Sequence, residues 1–130
     1  MAADLAVVHE RLSDLLLAHR GDLVVTRDGP DGMALEVPGL EGQPWGYVAG
    51  TRLGKRYVSV YLMALYASPE LAGPISPALG ARRQGKSCFN SSRVDEALFA
   101  ELDELAGRVI PAYVAAAGDP RVVVGQSRSR

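Results

Sequence analysis

The residues best suited to chemistry lie between positions 81 and 105, in the stretch ARRQGKSCFNSSRVDEALFAELDEL. Arg82, Arg83 and Lys86 surround Gly85. The backbone amides of a glycine turn, with cations beside them, could hold a phosphate or a carboxylate. The stretch does not match the phosphate-binding patterns G-x-x-x-x-G-K-S/T or G-x-G-x-x-G. Cations just after a helix also suit the negative end of its dipole. The sequence therefore fits either an anion site or an ordinary helix C-terminus.

Cys88 is the only cysteine and follows this basic cluster directly. It could be a nucleophile if the cations lowered its pKa, but a catalytic cysteine generally needs a neighbouring histidine as well. His9 and His19 both belong to the first predicted helix and form no local motif with the cysteine. Since free cysteine is often buried, the sequence favours a structural thiol and a protein that is not an enzyme.

Two carboxylates of the last predicted helix could bind a divalent cation. Glu101 and Glu104 are neighbours at spacing i, i+3, and carboxylate oxygens are suitable ligands for hard cations. Carboxylates near the start of a helix also favour its dipole and keep the surface soluble. Because no H-E-x-x-H, C-x-x-C or calcium-loop pattern occurs in the sequence, we expect no dedicated metal site and keep these glutamates as an alternative.

Aromatic residues are concentrated between positions 45 and 66, where four of the five tyrosines accompany the only tryptophan. Tyr57, Ser59 and Tyr61 alternate along a predicted strand, so they share one face of it. Aromatic rings with polar tips suit a small ligand, although β propensity alone also explains tyrosines in a sheet. We predict a ligand-binding face with a basic rim, formed by Trp45, Tyr57, Ser59, Tyr61, Arg83, Lys86 and Cys88.

Composition limits the classes of function open to this chain. Its 130 residues suit one domain, and its net charge of −1 gives no overall field that would attract nucleic acid. The longest apolar run, residues 58–67, is about half the ~20 residues of a membrane-spanning helix. Asp4 and Glu10 interrupt any signal-peptide pattern. We therefore expect a cytoplasmic protein with no membrane or nucleic-acid partner.

Periodicity predicts the elements that must position these residues. Apolar residues at spacings of three and four predict a first helix over about residues 4–20, and strands near 22–28 and 32–37 flank a glycine-proline turn. A second hairpin turns at Gly54, and its return strand directs Val58, Val60 and Leu62 away from the tyrosines.

The C-terminal half is predicted to contain short helical turns that end near Gly80, then a short strand at KSCFN. Asp95 is the predicted cap of the last helix, and Pro111 is expected to kink or divide that helix. The order α-ββ-ββ-α-β-α indicates an α+β fold of two layers. It has an antiparallel sheet of about five strands, with the N- and C-terminal helices on one face. Residues 1–118 form the predicted domain, and residues 119–130 a mobile tail.

The segments GTRLGKRYVSVYLMALYASPEL and ISPALGARRQGKSCFNSSRVDEALFAEL resemble the YdhG-like family, bacterial proteins of unknown function. The pairing of GKRYVSVYLM with QGKSCFN is fairly specific to one branch, and the likeness extends over nearly all the chain up to about Gly118. This resemblance implies a small cytosolic protein with a frataxin-like fold. For some members it also implies an iron-chaperone role.

The favoured hypothesis is therefore a non-catalytic binding domain that receives a small polar or anionic ligand on its tyrosine face and needs no cofactor. One alternative is an iron chaperone that uses surface carboxylates such as Glu101 and Glu104. Another alternative is a homodimer or other homo-oligomer formed through exposed apolar sheet surface.

Overall fold

Six strands form one antiparallel sheet in the computed structural model, which describes residues 4–117. The strands are β1 (Val24–Gly29), β2 (Gly32–Glu36), β3 (Tyr47–Leu53), β4 (Val58–Leu62), β5 (Arg83–Gln84) and β6 (Cys88–Ser91). Their order across the sheet is β1-β2-β3-β4-β6-β5, and every neighbouring pair is antiparallel. Strands joined by short turns thus become neighbours in the sheet.

The helices of the described range are α1 (Leu5–Leu17), α2 (Met63–Ala67), α3 (Pro77–Arg82) and α4 (Glu96–Ala117), with short 3-10 turns at Pro44–Gly46 and Pro69–Ala72. Helices α1 and α4 contact each other, and both contact β3 and β4. They therefore cover the same face of the sheet. The predicted α+β fold, with its N- and C-terminal helices on an antiparallel sheet, is confirmed.

The core lies between this helical layer and the covered face of the sheet. The stripe of α1 that periodicity predicted is buried against apolar residues of α4 and of the central strands. Fully buried members include Val8, Leu12, Leu16, Val58, Val60, Leu62, Phe89 and Ala106. Burying one large aliphatic or aromatic side chain of this kind stabilises a fold by roughly 1.5–3 kcal/mol, so this interface dominates the stability of the domain.

The pairing of β3 with β4 decides which side chains face the helices. Thr51 pairs with Val60 and forms a hydrogen bond with Ser13 of α1. Val60 and the residues two positions away on β4 therefore point toward the helices, and alternation turns Ser59 and Tyr61 to the opposite face. The predicted separation of the valines from the tyrosine strand face is thus present in the structure.

Several boundaries differ from those predicted. The sheet has a sixth strand, β5, because Arg83 and Gln84 pair with β6 directly after α3 ends. Helix α1 ends at Leu17 rather than near residue 20, and His19 and Arg20 continue the chain as a tighter turn with bonds to Leu16 and Leu17. Such i, i+3 bonds commonly tighten the end of a helix.

The predicted division of the last helix at Pro111 is wrong. Helix α4 runs without interruption from Glu96 to Ala117 with this proline inside it. Proline removes one backbone hydrogen bond, but Val109, Ile110 and Tyr113 on either side of it are buried. Packing of that buried stripe holds the helix together across the missing bond. Asp95 caps the helix as predicted, since its carboxylate accepts a hydrogen bond of 3.2 Å from the amide of Leu98.

The predicted mobile tail, residues 119–130, lies outside the described residues, as does the end of the predicted domain at residue 118. Within residues 4–117, no helix is long and apolar enough to cross a membrane.

Candidate functional site

The face of the sheet opposite α1 and α4 carries the polar side chains of the central strands. Register places Arg52 of β3 opposite Ser59 of β4, and Ser59 opposite Asn90 of β6. One row further from the β3–β4 turn, Tyr61 lies beside Gly50 on one side and Cys88 on the other. These two rows bring cationic, hydroxyl, amide and thiol groups to one surface, which we call the open face.

An open pocket of about 370 Å³ lies on the open face next to the β3–β4 turn. Its cationic wall is formed by Arg52, Lys55 and Arg56. Its other walls carry uncharged polar groups, from Tyr57, Ser59, Tyr61, Gln84 and Cys88. A pocket of this volume falls within the range of ~300–1,000 Å³ that is usual for small-molecule sites.

The three cations of the pocket have no counter-charge within the described part of the chain. The ion pairs found between residues 4 and 117 are Arg11–Glu96, His19–Asp103 and Arg27–Asp31, and none of them involves the pocket. Asp31 precedes Gly32, the β2 partner of Arg52, but its carboxylate bonds Arg27 at 3.0 Å. No carboxylate of residues 4–117 lines the pocket either. The cations therefore present their full positive charge to solvent or to a ligand.

A chain of side-chain hydrogen bonds crosses the open face beside the pocket. The Ser59 hydroxyl donates to Asn90 Oδ1 at 2.8 Å, and Asn90 Nδ2 donates to Gln84 Oε1 at 2.7 Å. These bonds link β4, β6 and β5 and hold the three side chains in place. Gln84 uses its carbonyl oxygen here, so its Nε2 keeps both donor hydrogens for another partner.

Cys88 lies half-buried in the pocket wall, with its Sγ 3.4 Å from Asn90 Oδ1. Burial raises the pKa of its thiol above the ordinary value, while the hydroxyls of Ser59 and Tyr61 act more weakly in the opposite direction. The thiol is therefore protonated at neutral pH. His9 cannot serve as its base, because that histidine is buried against Thr51 on the covered face.

The structure brings four of the seven predicted site residues together. Tyr57, Ser59, Tyr61 and Cys88 all line the same pocket. Trp45 lies elsewhere, in the 3-10 turn before β3, and its carbonyl accepts a hydrogen bond of 2.8 Å from the hydroxyl of Tyr113 on α4.

Arg83 and Lys86, the predicted basic rim, do not line this pocket. Arg83 pairs with Phe89, which is fully buried on the covered face, and its guanidinium lies 5.9 Å from the centroid of the Phe89 ring. Gly85 adopts a positive φ of 67°, and the resulting tight turn lets Arg83 donate two hydrogen bonds to the carbonyl of Lys86. The Lys86 ammonium lies 6.0 Å from the centroid of the Tyr66 ring.

The cations that do line the pocket stand in the sequence TRLGKR, at the turn of the second predicted hairpin. Arg52 is two residues from Gly50 on the same strand, and Lys55 and Arg56 follow Gly54 in the turn. The density of positive charge in this turn is a sequence pattern from which a basic wall could have been predicted. Assigning Arg52 to the tyrosine face, however, requires the register of β3 against β4, which the sequence left open.

The carboxylates considered for a metal have separate environments. Both oxygens of Glu101 accept hydrogen bonds from Ser76, at 2.8 Å from its amide and 2.6 Å from its hydroxyl. Ser76 in turn caps α3, so Glu101 fixes the start of that helix. Glu104 is exposed on α4. Among residues 4–117, no group of three or more histidine, cysteine, aspartate or glutamate side chains is placed to hold a metal ion.

No family model, no curated protein and no solved structure matches this chain. The resemblance to the YdhG-like family therefore stays a prediction, and the geometry of the open face is the basis for any statement about function.

Proposed function

We propose that this protein is a non-catalytic binding protein that holds a small anionic ligand in the pocket of the open face. One observation carries the proposal: Arg52, Lys55 and Arg56 line a pocket to which the described part of the chain contributes no carboxylate. The chain as a whole has a net charge of −1, so this positive charge is local and not a property of the whole surface.

Unpaired cations that lie close together repel one another, and an anion bound between them relieves that repulsion. Arginine is well suited to this role because its planar guanidinium can form two parallel hydrogen bonds to a carboxylate or phosphate. Lys55 adds a mobile point charge in the turn. The set thus supports binding of an oxyanion rather than of a cation or an apolar molecule.

The uncharged walls support binding without catalysis. Tyr57 is 40% exposed and lines the pocket, where its ring can cover one side of a ligand. Cys88 is the one thiol in the chain, and its raised pKa keeps it in the unreactive protonated form. His9 of α1 is buried on the opposite side of the sheet, and His19, just after α1, pairs with Asp103 of α4, so neither can activate it.

The proposal is tested by NMR titration of the ¹⁵N-labelled full chain with inorganic phosphate, sulfate and citrate. We expect saturable shift changes of backbone amides in residues 52–61 and 84–90, with little change in α1. Arg52→Ala is expected to weaken binding of each anion at least about fivefold, the effect of one lost charge-assisted hydrogen bond. Arg11→Ala is the matched control, because it removes an exposed arginine on the other side of the sheet.

Two outcomes contradict the proposal. The first is an absence of saturable shifts with all three anions. The second is equal weakening by Arg52→Ala and Arg11→Ala, which would mean that binding follows the total charge of the protein and not the pocket.

A further inference from the structure

The pocket of the open face has two chemically different ends. Its charged end lies at the β3–β4 turn, where Lys55 and Arg56 follow Arg52. Its neutral end lies further along β4, at Tyr61, and continues across β6 and β5 to Gln84. Two residues along a strand span roughly 7 Å, so the two ends are about as far apart as the two ends of a small phosphorylated molecule.

The neutral end offers both donors and acceptors. Gln84 Nε2 carries two donor hydrogens, since only the carbonyl of this side chain is used within the sheet. Next to this end, in the row of Arg52, the Ser59 hydroxyl donates to Asn90 and so keeps its lone pairs as acceptors. The Tyr61 hydroxyl can act in either role. A ligand that satisfies this end must itself carry donors and acceptors, as hydroxyl groups do.

Other ligand types fit this end less well. An apolar ligand would leave the amide and hydroxyl groups without hydrogen-bond partners once it covered them, which weakens binding. A second anionic group would find no cation there among the described residues that line the pocket, because Lys55 and Arg56 lie in the turn and Arg52 lies at the turn end of β3. Tyr47, which lies over Gly50 beside Tyr61, adds no charge, since burial raises the pKa of its phenol and keeps it neutral.

We infer that the ligand is a phosphate monoester of a polyol, such as a sugar phosphate. Its phosphate would lie on Arg52, Lys55 and Arg56, and its hydroxyl groups on Ser59, Tyr61 and Gln84. This inference rests on the proposed function and specifies the ligand of the same pocket. A phosphate monoester carries about −1.5 to −2 charges near pH 7, which matches three cations better than the single charge of a carboxylate does.

The inference is tested by calorimetric titration of the full chain with ribose 5-phosphate, inorganic phosphate, ribose and ribonate, a carboxylate of similar size. We expect ribose 5-phosphate to bind at least about tenfold more tightly than inorganic phosphate, as two added hydrogen bonds would allow. Ribonate is expected to bind more weakly than the phosphate ester, and ribose alone to give no measurable heat.

Variants separate the two ends of the pocket. Tyr61→Phe keeps the ring and removes the hydroxyl, so it should weaken ribose 5-phosphate about fivefold and leave inorganic phosphate unchanged. Arg52→Ala should weaken both ligands. Tyr66→Phe is the matched control, because Tyr66 is 65% exposed on α2 and does not line the pocket.

The outcomes also separate this inference from the proposed function. Equal affinity for ribose 5-phosphate and inorganic phosphate, or for ribose 5-phosphate and ribonate, would overturn the sugar phosphate and leave anion binding intact. Loss of inorganic phosphate binding in Tyr61→Phe would also overturn it, since that end would then not be specific for hydroxyl groups. Failure of every anion to bind would remove both proposals.

Discussion

At the scale of single residues, the environment of Cys88 decides whether this protein has a reactive thiol. Burial raises the thiol pKa, so the folded protein holds this proton more tightly than the unfolded chain does. The stabilisation that results is fully present below the thiol pKa of the unfolded chain, and it is lost as pH rises through the higher value of the folded state.

We therefore expect slow alkylation of Cys88 by iodoacetamide in the native protein at neutral pH, and a rate that rises as pH increases above the ordinary thiol range. Mass spectrometry of timed samples measures the rate, and the same chain in concentrated urea is the control. A native rate equal to or above the rate in urea would show an activated thiolate and would contradict the non-catalytic proposal.

Thr51 links helix α1 to the sheet through a buried polar contact. Its hydroxyl lies 2.9 Å from Ser13 Oγ and 2.9 Å from His9 Nε2, and all three residues are buried. Replacing this hydroxyl with a methyl group would leave both partners without this hydrogen bond in a place that is almost closed to water. Each buried polar group without a partner costs roughly 1–3 kcal/mol.

The variant Thr51→Val is expected to lower the free energy of unfolding by about 2–4 kcal/mol, as measured by urea denaturation followed by circular dichroism. Thr26→Val is the matched control, because Thr26 is exposed on β1 and water can replace its hydrogen bond to Glu36. A loss of the same size in both variants would contradict the buried network.

At the scale of elements, Pro111 interrupts the hydrogen bonding of α4 without ending the helix. The position is exposed, and an ordinary residue there could donate its amide to the carbonyl of Gly107. We expect Pro111→Ala to raise the free energy of unfolding by about 1–3 kcal/mol in urea denaturation.

Pro77 provides the control for this substitution. It is the first residue of α3, where a helix leaves the backbone amide unused, so Pro77→Ala should change stability little or lower it slightly. If Pro111→Ala destabilised the protein as much as Pro77→Ala or more, the cost assigned to the missing hydrogen bond would be wrong.

Elements also differ in how far the sequence could predict them. The alternation of Val60 with Ser59 and Tyr61 was predictable, since it depends on the two-residue period of a single strand. The position of Arg52 was not, because it depends on how two strands align. The turn at Gly85, which takes Arg83 away from the open face, and the contact of His9 with Thr51 depend on tertiary packing that no local pattern contains.

At the scale of the whole molecule, the proposed ligand should stabilise the fold. A ligand that binds only the folded state adds a free energy that grows with the logarithm of its concentration, about 2.7 kcal/mol at a hundred times Kd. Phosphate and sulfate also stabilise most proteins slightly, because they are excluded from protein surfaces. The useful quantity is therefore the difference in the stabilisation by phosphate between the unaltered protein and a variant that lacks one cation of the pocket.

We expect phosphate to raise the Tm of the unaltered protein, measured by scanning calorimetry, more than it raises the Tm of Arg52→Ala. In Arg11→Ala, which keeps the pocket, the rise should equal that of the unaltered protein. The net charge of −1 makes this comparison informative, since general attraction of anions to the whole molecule would not single out Arg52. An equal rise in all three proteins would mean that phosphate acts by exclusion alone, and the open face would then have no anion site to explain.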